Sequence, residues 1–345
     1  MSTPKSLGYH FPAEWEKHEA TWLTWPYLDD SFPGKVEVVY PFYLEFMKQI
    51  SLGEKIRINV PDEHQKLVLT QMLELTDVDL NQVELFIHPS NDVWCRDHGP
   101  AFIVNLDAKE KKAIVSWEFN AWGGKYPADL DNQIPDKIAQ YYGLSVFRPG
   151  IIMEGGSVEF NGKGTILTTT ACLLNKNRNP HLTQAQIEKY LCDYYGAKQI
   201  LWLGDGIAGD DTDGHIDDIT RFVNEDTVIT TVETNEGDEN YLPLQDNLEE
   251  LSKLRLLNGK QMNIVELPMP TAQYWEGRRL PASYANFYIS NAAVIVPTFR
   301  CIQDEVALDI LSQVFKDRKV VGIDSVDIVW GLGSFHCLSQ QEPMI

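Results

Sequence analysis

Four short stretches of the sequence place polar side chains beside strand-like segments, where a buried core would exclude them. They are NDVWCRDHGPAFIV (91–104), GIIMEGGSVEFNGKGT (150–165), GDDTDGHIDDITRF (209–222) and the C-terminal GLGSFHCLSQQEPMI (331–345). His215 and Asp217 are two residues apart, so an extended chain would present both on one side. His336 and Cys337 are neighbours near the C-terminus, where a nucleophile is useful only if the tail folds back into the protein.

Together these residues fit one chemistry. A cysteine nucleophile needs a histidine to move protons and a carboxylate to orient that histidine, and Cys337, His215 and Glu154 could fill these roles. Two further carboxylates, Asp97 and Asp217, suit a planar cation, because a guanidinium offers five N–H donors in a rigid fork. A papain-like arrangement is disfavoured, because that nucleophile precedes its histidine in the chain.

Each residue also has a simpler interpretation. Asp97 could be ion-paired on a surface loop, Glu154 could be a turn acid, and Cys337 could be an inert buried thiol. The acidic run 209–218 could be a solvated loop or a calcium loop, although it lacks the spaced third aspartate and the closing glutamate of an EF-hand. The sequence favours the enzymatic interpretation only when the four stretches are considered together.

The composition predicts a protein with a large core. The 345 residues are 43% hydrophobic and 11% aromatic, which excludes a disordered chain. No linker divides the chain, so we expect one domain over residues 1–345. No apolar run is long enough to span a bilayer, and the N-terminus has no hydrophobic signal core, which predicts a cytoplasmic protein.

The net charge and the cysteine content limit which binding partners and cofactors are expected. The net charge of −21 disfavours nucleic acid and anionic membranes and would favour a small cationic partner. Acidity that serves only to keep the protein soluble is the simpler interpretation of the same charge. The five cysteines are scattered without a CxxC pair, which indicates free thiols in a reducing compartment. We therefore expect neither a disulfide framework nor a zinc site, and the sequence leaves open whether the protein self-associates.

Strand-like and helix-like segments alternate along the chain, which predicts an α/β fold. Strands are expected at 55–60, 83–89, 112–119, 199–203, 226–233, 262–268, 291–299 and 319–324, with a hairpin over 157–170 around Asn161-Gly162. Helices are expected at 183–196, after a Thr-x-x-Gln capping box, and at 304–315, with Val306, Ile310 and Val314 on one stripe. Units of about 60–70 residues indicate a closed repeat.

The sequence resembles the agmatine deiminases, within the Porphyromonas-type peptidylarginine deiminase family of guanidino-modifying enzymes. The likeness rests on WCRDHGP (94–100), FNAWGGK (119–125), EGGS (154–157), NGKGTILTT (161–169), CLLNKNRNPHL (172–182), DGHIDD (213–218), ASYANFYISN (282–291) and GSFHCLSQQEP (333–343). The resemblance implies a five-bladed pseudo-symmetric α/β propeller, a pentein-like fold, with the active site on its central axis. The last strand would then carry Cys337 to that axis.

The resemblance also implies a reaction, the hydrolysis of agmatine to N-carbamoylputrescine and ammonia through a covalent cysteine thiouronium, without metal or organic cofactor. Asp97 and Asp217 would bind the guanidinium, and Trp94 and Trp122 are candidate walls for the methylene chain. Ordinary core packing is an equally good interpretation of Trp122.

Three other functions stay open at this point. Peptidyl-arginine is the alternative substrate within the family. A calcium- or carbohydrate-binding propeller is the alternative from another class, and a catalytically silent polyamine binder is a third.

Overall fold

The computed structural model describes residues 2–345, and it has the expected α/β content. The strands are β1 (His18–Thr24), β2 (Lys55–Val60), β3 (Val83–Ile87), β4 (Ala101–Val104), β5 (Lys112–Val115), β6 (Val146–Phe147), β7 (Val158–Phe160), β8 (Thr165–Thr169), β9 (Gln199–Leu203), β10 (Thr220–Phe222), β11 (Thr227–Val232), β12 (Asn263–Pro268), β13 (Tyr274–Trp275), β14 (Arg278–Arg279), β15 (Tyr288–Ile289), β16 (Ala293–Thr298), β17 (Lys319–Asp324) and β18 (Ser339–Pro343). The strand segments expected from sequence are all present, with shorter ends for some.

Ten helical segments accompany the strands. They are α1 (Val36–Ser51), α2 (Glu63–Leu73), α3 (Cys95–His98), α4 (Ala121–Gly124), α5 (Ile134–Tyr142), α6 (Thr170–Leu173), α7 (Gln184–Tyr195), α8 (Tyr241–Lys253), α9 (Gln303–Val314) and α10 (Phe335–Leu338). Single 3₁₀ turns form at Lys5–Leu7, Asp29–Ser31, Leu80–Gln82, Asp131–Gln133, Gly155–Ser157, Ile216–Asp218 and Ile328–Gly331.

Five sheets share one strand pattern. In each, a first strand is antiparallel to a second, and a third strand is parallel to the second; the sets are β18-β1-β2, β4-β5-β6, β7-β8-β9, β10-β11-β12 and β15-β16-β17, with β3 added to the first. The parallel pairs are connected by α1, α5, α7, α8 and α9 in turn, because parallel neighbours need a crossover long enough to hold a helix. The hairpin β13-β14 stands outside this pattern.

The C-terminal tail is part of the first sheet. Strand β18 pairs antiparallel with β1, with Ser339 opposite Leu23 and Gln341 opposite Thr21. All five residues of β18 are buried. The expectation that the chain end folds back into the protein is confirmed, and the strand pairing fixes the position of Cys337 two residues before β18.

The helix predictions are confirmed in position, but one residue of the predicted apolar stripe of α9 is wrong. Thr183 and Gln186 form the expected capping box at the start of α7. In α9 the fully buried residues are Ala307 and Leu311, whereas Val306 is 48% exposed. Ile310 and Val314 are partly buried and pack against the core as expected, so only Val306 departs from the predicted stripe. Apolar side chains fill the space between helices and sheets in several clusters, and no helix within residues 2–345 combines the length and apolar character needed to cross a bilayer.

Candidate active site

The candidate residues occupy equivalent positions in the repeated sheets. Asp97 lies in α3 before β4, Glu154 precedes the 3₁₀ turn before β7, and Cys337 lies in α10 before β18. His215 and Asp217 belong to the turn that precedes β10. In each case a single helical turn leads into the first strand of a sheet, and neighbouring turns pack against one another. This shared location brings together residues that are up to 240 positions apart in the chain.

Cys337 is buried beside an amide and a carboxylate. Its Sγ accepts a hydrogen bond from Nδ2 of Asn286 at 3.0 Å and lies 3.6 Å from Oδ2 of Asp217. Burial, together with the negative charges of Asp217, Asp218 and Asp97, raises the pKa of the Cys337 thiol well above its usual range. Without a bound cation the sulfur is therefore held as a thiol.

His215 is fully buried, and neither ring nitrogen has a hydrogen-bond partner within residues 2–345. Its Nδ1 lies 3.9 Å from an oxygen of Asp97 and 3.9 Å from an oxygen of Asp217. Burial lowers the pKa of His215 to about 3, against the opposite effect of Asp217. The imidazole is therefore neutral and has a lone pair available to accept a proton.

The two aspartates have opposite pKa shifts. Asp97 accepts hydrogen bonds from the backbone N–H of Gly156 and from Nε1 of Trp122, both at 2.9 Å, yet burial and the charge of Asp217 raise its pKa well above the usual value. Burial also favours the neutral form of Asp217, but the hydrogen bond and charge of His336, with a contribution from His215, hold the pKa of Asp217 below normal. Asp217 is therefore the more acidic member of the pair, and Asp97 ionises less readily before a cation binds.

Glu154 does not hydrogen-bond to His215. Its Oε1 accepts a hydrogen bond from Nε of Arg178 at 2.6 Å, and both side chains are fully buried. The carboxylate nevertheless lies close to the imidazole, because ligand atoms of Glu154, Cys172 and His215 are all within 4.8 Å of one another. These three could in principle hold a metal ion, but the Arg178 guanidinium already neutralises the carboxylate, which is the arrangement of an ion pair.

Both candidate tryptophans line a cavity of about 700 Å³ that also contains Asp97 and Cys337. Trp94 packs so tightly against the turn before α10 that a Cβ on Gly333 would stand 2.6 Å from its ring. Trp122 lies in α4, where Ala121, Trp122, Gly123 and Gly124 all have positive φ. Left-handed geometry at two non-glycine residues costs about 1–3 kcal/mol each, and here it directs the indole N–H to Asp97.

The rest of the cavity is aromatic and acidic. Carboxylates of Asp30, Asp92 and Asp211 line it together with the one of Asp97, and Arg278 is the only basic residue of the lining. Arg278 lies 3.6 Å from Asp211. Further aromatic walls are provided by Tyr27, Tyr126, Trp275 and Trp330.

The acidic loop 209–214 does not resemble a calcium site. Both oxygens of Asp210 accept hydrogen bonds from within the loop, from Thr212 and from the backbone N–H of Gly214. Asp213 is bound by Arg178 and Asn177. Because N–H donors and cations surround these carboxylates, the loop is shaped to present His215 rather than to bind calcium.

Sequence reasoning missed four residues that contact the site. Asn286 lies just before β15, in the position that Asp97 and Cys337 occupy in their own sheets. It belongs to the motif ASYANFYISN, but sequence alone assigned it no role. His336 was visible as the neighbour of Cys337 but had no assigned partner. Arg178 stands in the motif CLLNKNRNPHL, also without an assigned role, and Glu14 gave no signal, since its partners are remote in sequence.

Comparison with known proteins agrees with the fold. The family model for the Porphyromonas-type peptidyl-arginine deiminases matches residues 10–343. A Legionella pneumophila protein provisionally named agmatine deiminase is 36% identical over 347 residues, covering 99% of this chain and 97% of that protein.

Two solved structures are similar over nearly the whole chain. Enterococcus faecalis agmatine deiminase has a TM-score of 0.91 at 32% identity, covering 99% of this chain and 98% of that one. A cysteine-to-serine variant of C. jejuni agmatine deiminase with substrate bound has a TM-score of 0.88 at 35% identity, covering 97% and 96%. The fold is thus that of guanidino-modifying enzymes. The chain belongs to the Porphyromonas-type peptidyl-arginine deiminase family.

Proposed function

We propose that this protein is an agmatine deiminase, which hydrolyses the guanidinium group of agmatine to N-carbamoylputrescine and ammonia. The observation that carries the proposal is the meeting of a cysteine, a neutral histidine and two aspartates beside a cavity that Cys337 and Asp97 line. The family membership and the named relatives support the same reaction class.

In this proposal Asp97 and Asp217 bind the guanidinium and aim its central carbon at Sγ of Cys337. Charge-assisted hydrogen bonds from the planar cation suit two carboxylates of this kind. The bound cation also stabilises a thiolate, because its positive charge offsets the aspartates that raise the pKa of Cys337. His215, with its free ring nitrogens, accepts the thiol proton.

The chemical steps balance without any further reactant than water. The thiolate adds to the guanidinium carbon, and protonation of one amino group by His215 lets ammonia leave as the C–N bond breaks, giving a covalent thiouronium. His215 then takes a proton from water, the hydroxide adds to the same carbon, and the C–S bond breaks to release the ureido product. Glu154, held by Arg178, is proposed to orient and tune His215 from within 4.8 Å.

Agmatine is favoured over substrates with a carboxylate because of the charge of the cavity. Four aspartates line it, and its only arginine, Arg278, lies beside Asp211. Arg221 is buried against Glu14 and Glu159, and Arg279 binds Asp238, so neither lines the cavity. A dication such as agmatine matches this surplus of acidic groups and favours their ionised forms.

Peptidyl-arginine is the second candidate, and the size of the cavity favours it. A volume of about 700 Å³ lies within the range of about 300–1,000 Å³ for pockets that hold drug-sized ligands, which is more than agmatine fills. Charge and size therefore point to different substrates, and a direct comparison decides between them.

We also propose that residues 1–345 form a single five-bladed propeller with the site at its centre, supported by the five sheets of common pattern. A cytoplasmic location is proposed from the five free cysteines, which a reducing compartment preserves.

The deciding experiment measures ammonia release from agmatine, free arginine and a blocked arginine peptide, before and after alkylation of thiols. We expect release from agmatine that alkylation abolishes. Ammonia release from the peptide alone would mean that the protein citrullinates peptidyl-arginine and does not act on agmatine. Absence of ammonia release from all three substrates would overturn the proposal.

A further inference from the structure

A chain of buried hydrogen bonds leads from Asp217 away from the cavity. Nδ1 of His336 lies 2.6 Å from Oδ2 of Asp217, and its Nε2 lies 2.8 Å from Oε2 of Glu14. All three residues are at most 5% exposed. Glu14 precedes His336 by 322 positions, so the contact exists only in the folded protein.

Glu14 is rigidly fixed and ionised. Arg221 donates to its Oε1 at 3.0 Å and Arg96 to its Oε2 at 3.1 Å, while the backbone N–H of Ile289 donates to Oε1 at 2.9 Å. Burial would favour the neutral acid, but Arg221, His336 and Arg96 hold the pKa of Glu14 well below normal. The imidazole of His336 therefore faces an ionised carboxylate on the Glu14 side.

An imidazole between two carboxylates needs an N–H on each nitrogen, whereas the neutral ring has only one and would direct a lone pair at the other carboxylate. We propose that His336 is a positioning residue, held by Glu14 as an imidazolium, that fixes the carboxylate of Asp217 for the guanidinium. This inference rests on the proposed deiminase function and adds to it a role for two residues that do not touch the substrate.

The free oxygen of Asp217 shows what this positioning achieves. Oδ2 is occupied by His336, whereas Oδ1 has no hydrogen-bond partner in the described part of the chain and lies 3.9 Å from Nδ1 of His215. One oxygen thus anchors the carboxylate and the other is left to accept a hydrogen bond from the substrate. Without His336 the carboxylate could turn, and a displacement of about 1 Å can cost about 100-fold in rate.

The charge of His336 also acts on the titration of Asp217. Several other titratable or charged groups, besides the thiol of Cys337, act electrostatically on Asp217. The basic ones are His336, His215 and Arg221, and the acidic ones are Asp97, Asp210 and Asp218. His336 lowers the pKa of Asp217, so its removal raises that pKa. If activity requires ionised Asp217, the variant without His336 should lose activity at a higher pH than the wild type when the pH is lowered.

The kinetic test compares His336→Gln and Glu14→Gln with His88→Gln, a matched control. His88 is a buried histidine hydrogen-bonded to Asn59, and it contacts neither Glu14 nor Asp217. We expect His336→Gln to lower kcat/KM for agmatine about 100-fold and to move the acid limb of the kcat/KM profile to higher pH. Glu14→Gln should also lower kcat/KM and move its acid limb to higher pH, but by smaller amounts. His88→Gln should leave the acid limb of the kcat/KM profile unchanged.

A spectroscopic test on the unmodified protein covers the case in which a variant does not fold. Nitrogen-15 NMR of labelled histidine should show two protonated ring nitrogens for His336 near neutral pH. One bare nitrogen, or a His336→Gln variant with wild-type kcat/KM and acid limb, would overturn the inference while leaving the deiminase function intact. If the wild-type protein released no ammonia, the function would fail and the NMR result would still decide the state of His336.

Discussion

Gly156 and His215 leave no space for a methyl group between them. A Cβ built on Gly156 would stand 2.6 Å from Nδ1 of His215 and 3.0 Å from an oxygen of each of Asp97 and Asp217. Real Cβ atoms do not approach so closely, so any side chain at this position must displace the residues on which catalysis is proposed to depend.

We therefore expect Gly156→Ala to lower kcat/KM for agmatine about 100-fold or more, because it shifts His215 and both aspartates. Overpacking should also destabilise the fold by about 1–3 kcal/mol. Steady-state ammonia release and thermal unfolding measure the two effects. Gly204→Ala is the control, since its Cβ would meet only an Asn247 oxygen at 3.4 Å; equal kinetics for the two variants would contradict the crowding argument.

Cys337→Ser should abolish ammonia release while preserving the fold. A serine hydroxyl is isosteric with the thiol but is a far weaker nucleophile near neutral pH. Agmatine should still bind, because Asp97 and Asp217 are unchanged. Release assays and calorimetric titration measure turnover and binding. Cys192→Ser, a change at a half-buried thiol of α7, should keep full turnover, and turnover by Cys337→Ser close to that of the wild type would refute the nucleophile.

Asn286 should matter for the reactivity of Cys337. Its Nδ2 donates to Sγ at 3.0 Å and to Oδ1 of Asp218 at 3.0 Å. A hydrogen bond to a charged group contributes about 1.5–3 kcal/mol, so Asn286→Ala should slow alkylation of Cys337 by iodoacetamide about 10-fold or more at fixed pH. Peptide mass spectrometry follows the rate at this residue. An unchanged rate would mean that the amide does not stabilise the thiolate.

Binding of agmatine should release a proton from Asp97. Burial and Asp217 raise the pKa of Asp97 well above normal in the empty site, and a bound guanidinium lowers it again. Cys337→Ser isolates this event from thiol ionisation. Calorimetry of agmatine binding in two buffers of different ionisation enthalpy should reveal the released proton near neutral pH, with the release declining as pH rises through the pKa of the empty site.

The same titration with an additional Asp97→Asn substitution serves as the control. It should show weaker binding and little proton release. If the enthalpy of binding were identical in both buffers for Cys337→Ser, Asp97 would already be ionised in the empty site and the pKa argument would be wrong.

Local sequence determined most of the secondary structure. The capping box at Thr183 and the hairpin around Asn161-Gly162 depend on neighbours within a few residues, and both form as expected. The exact rotation of α9 was not predictable in the same way. Whether Val306 or Ala307 faces the core depends on how the helix packs on its neighbours in the folded protein, which local periodicity does not specify.

Sequence also supplied the chemical groups of the site. Residue type and motif identified Cys337, His215, Asp97 and Asp217, and the structure brings them together in one region. Glu154 was expected to hold His215 directly, whereas its hydrogen bond goes to Arg178. Which donor a buried carboxylate binds depends on the groups that packing places beside it, and the residues next to it in the chain do not specify those groups.

What only the tertiary structure decided is the partner of each charge. Glu14 contacts Arg96, Arg221 and His336, and one oxygen of Asp217 is left without a partner in the described chain. Both features arise because the turns that precede the first strands of several sheets lie next to one another. The chain by itself fixes which ionisable groups exist. Their pKa values and orientations follow from burial and from neighbours up to 322 residues away, because the field at a buried group is set by the charges nearest in space.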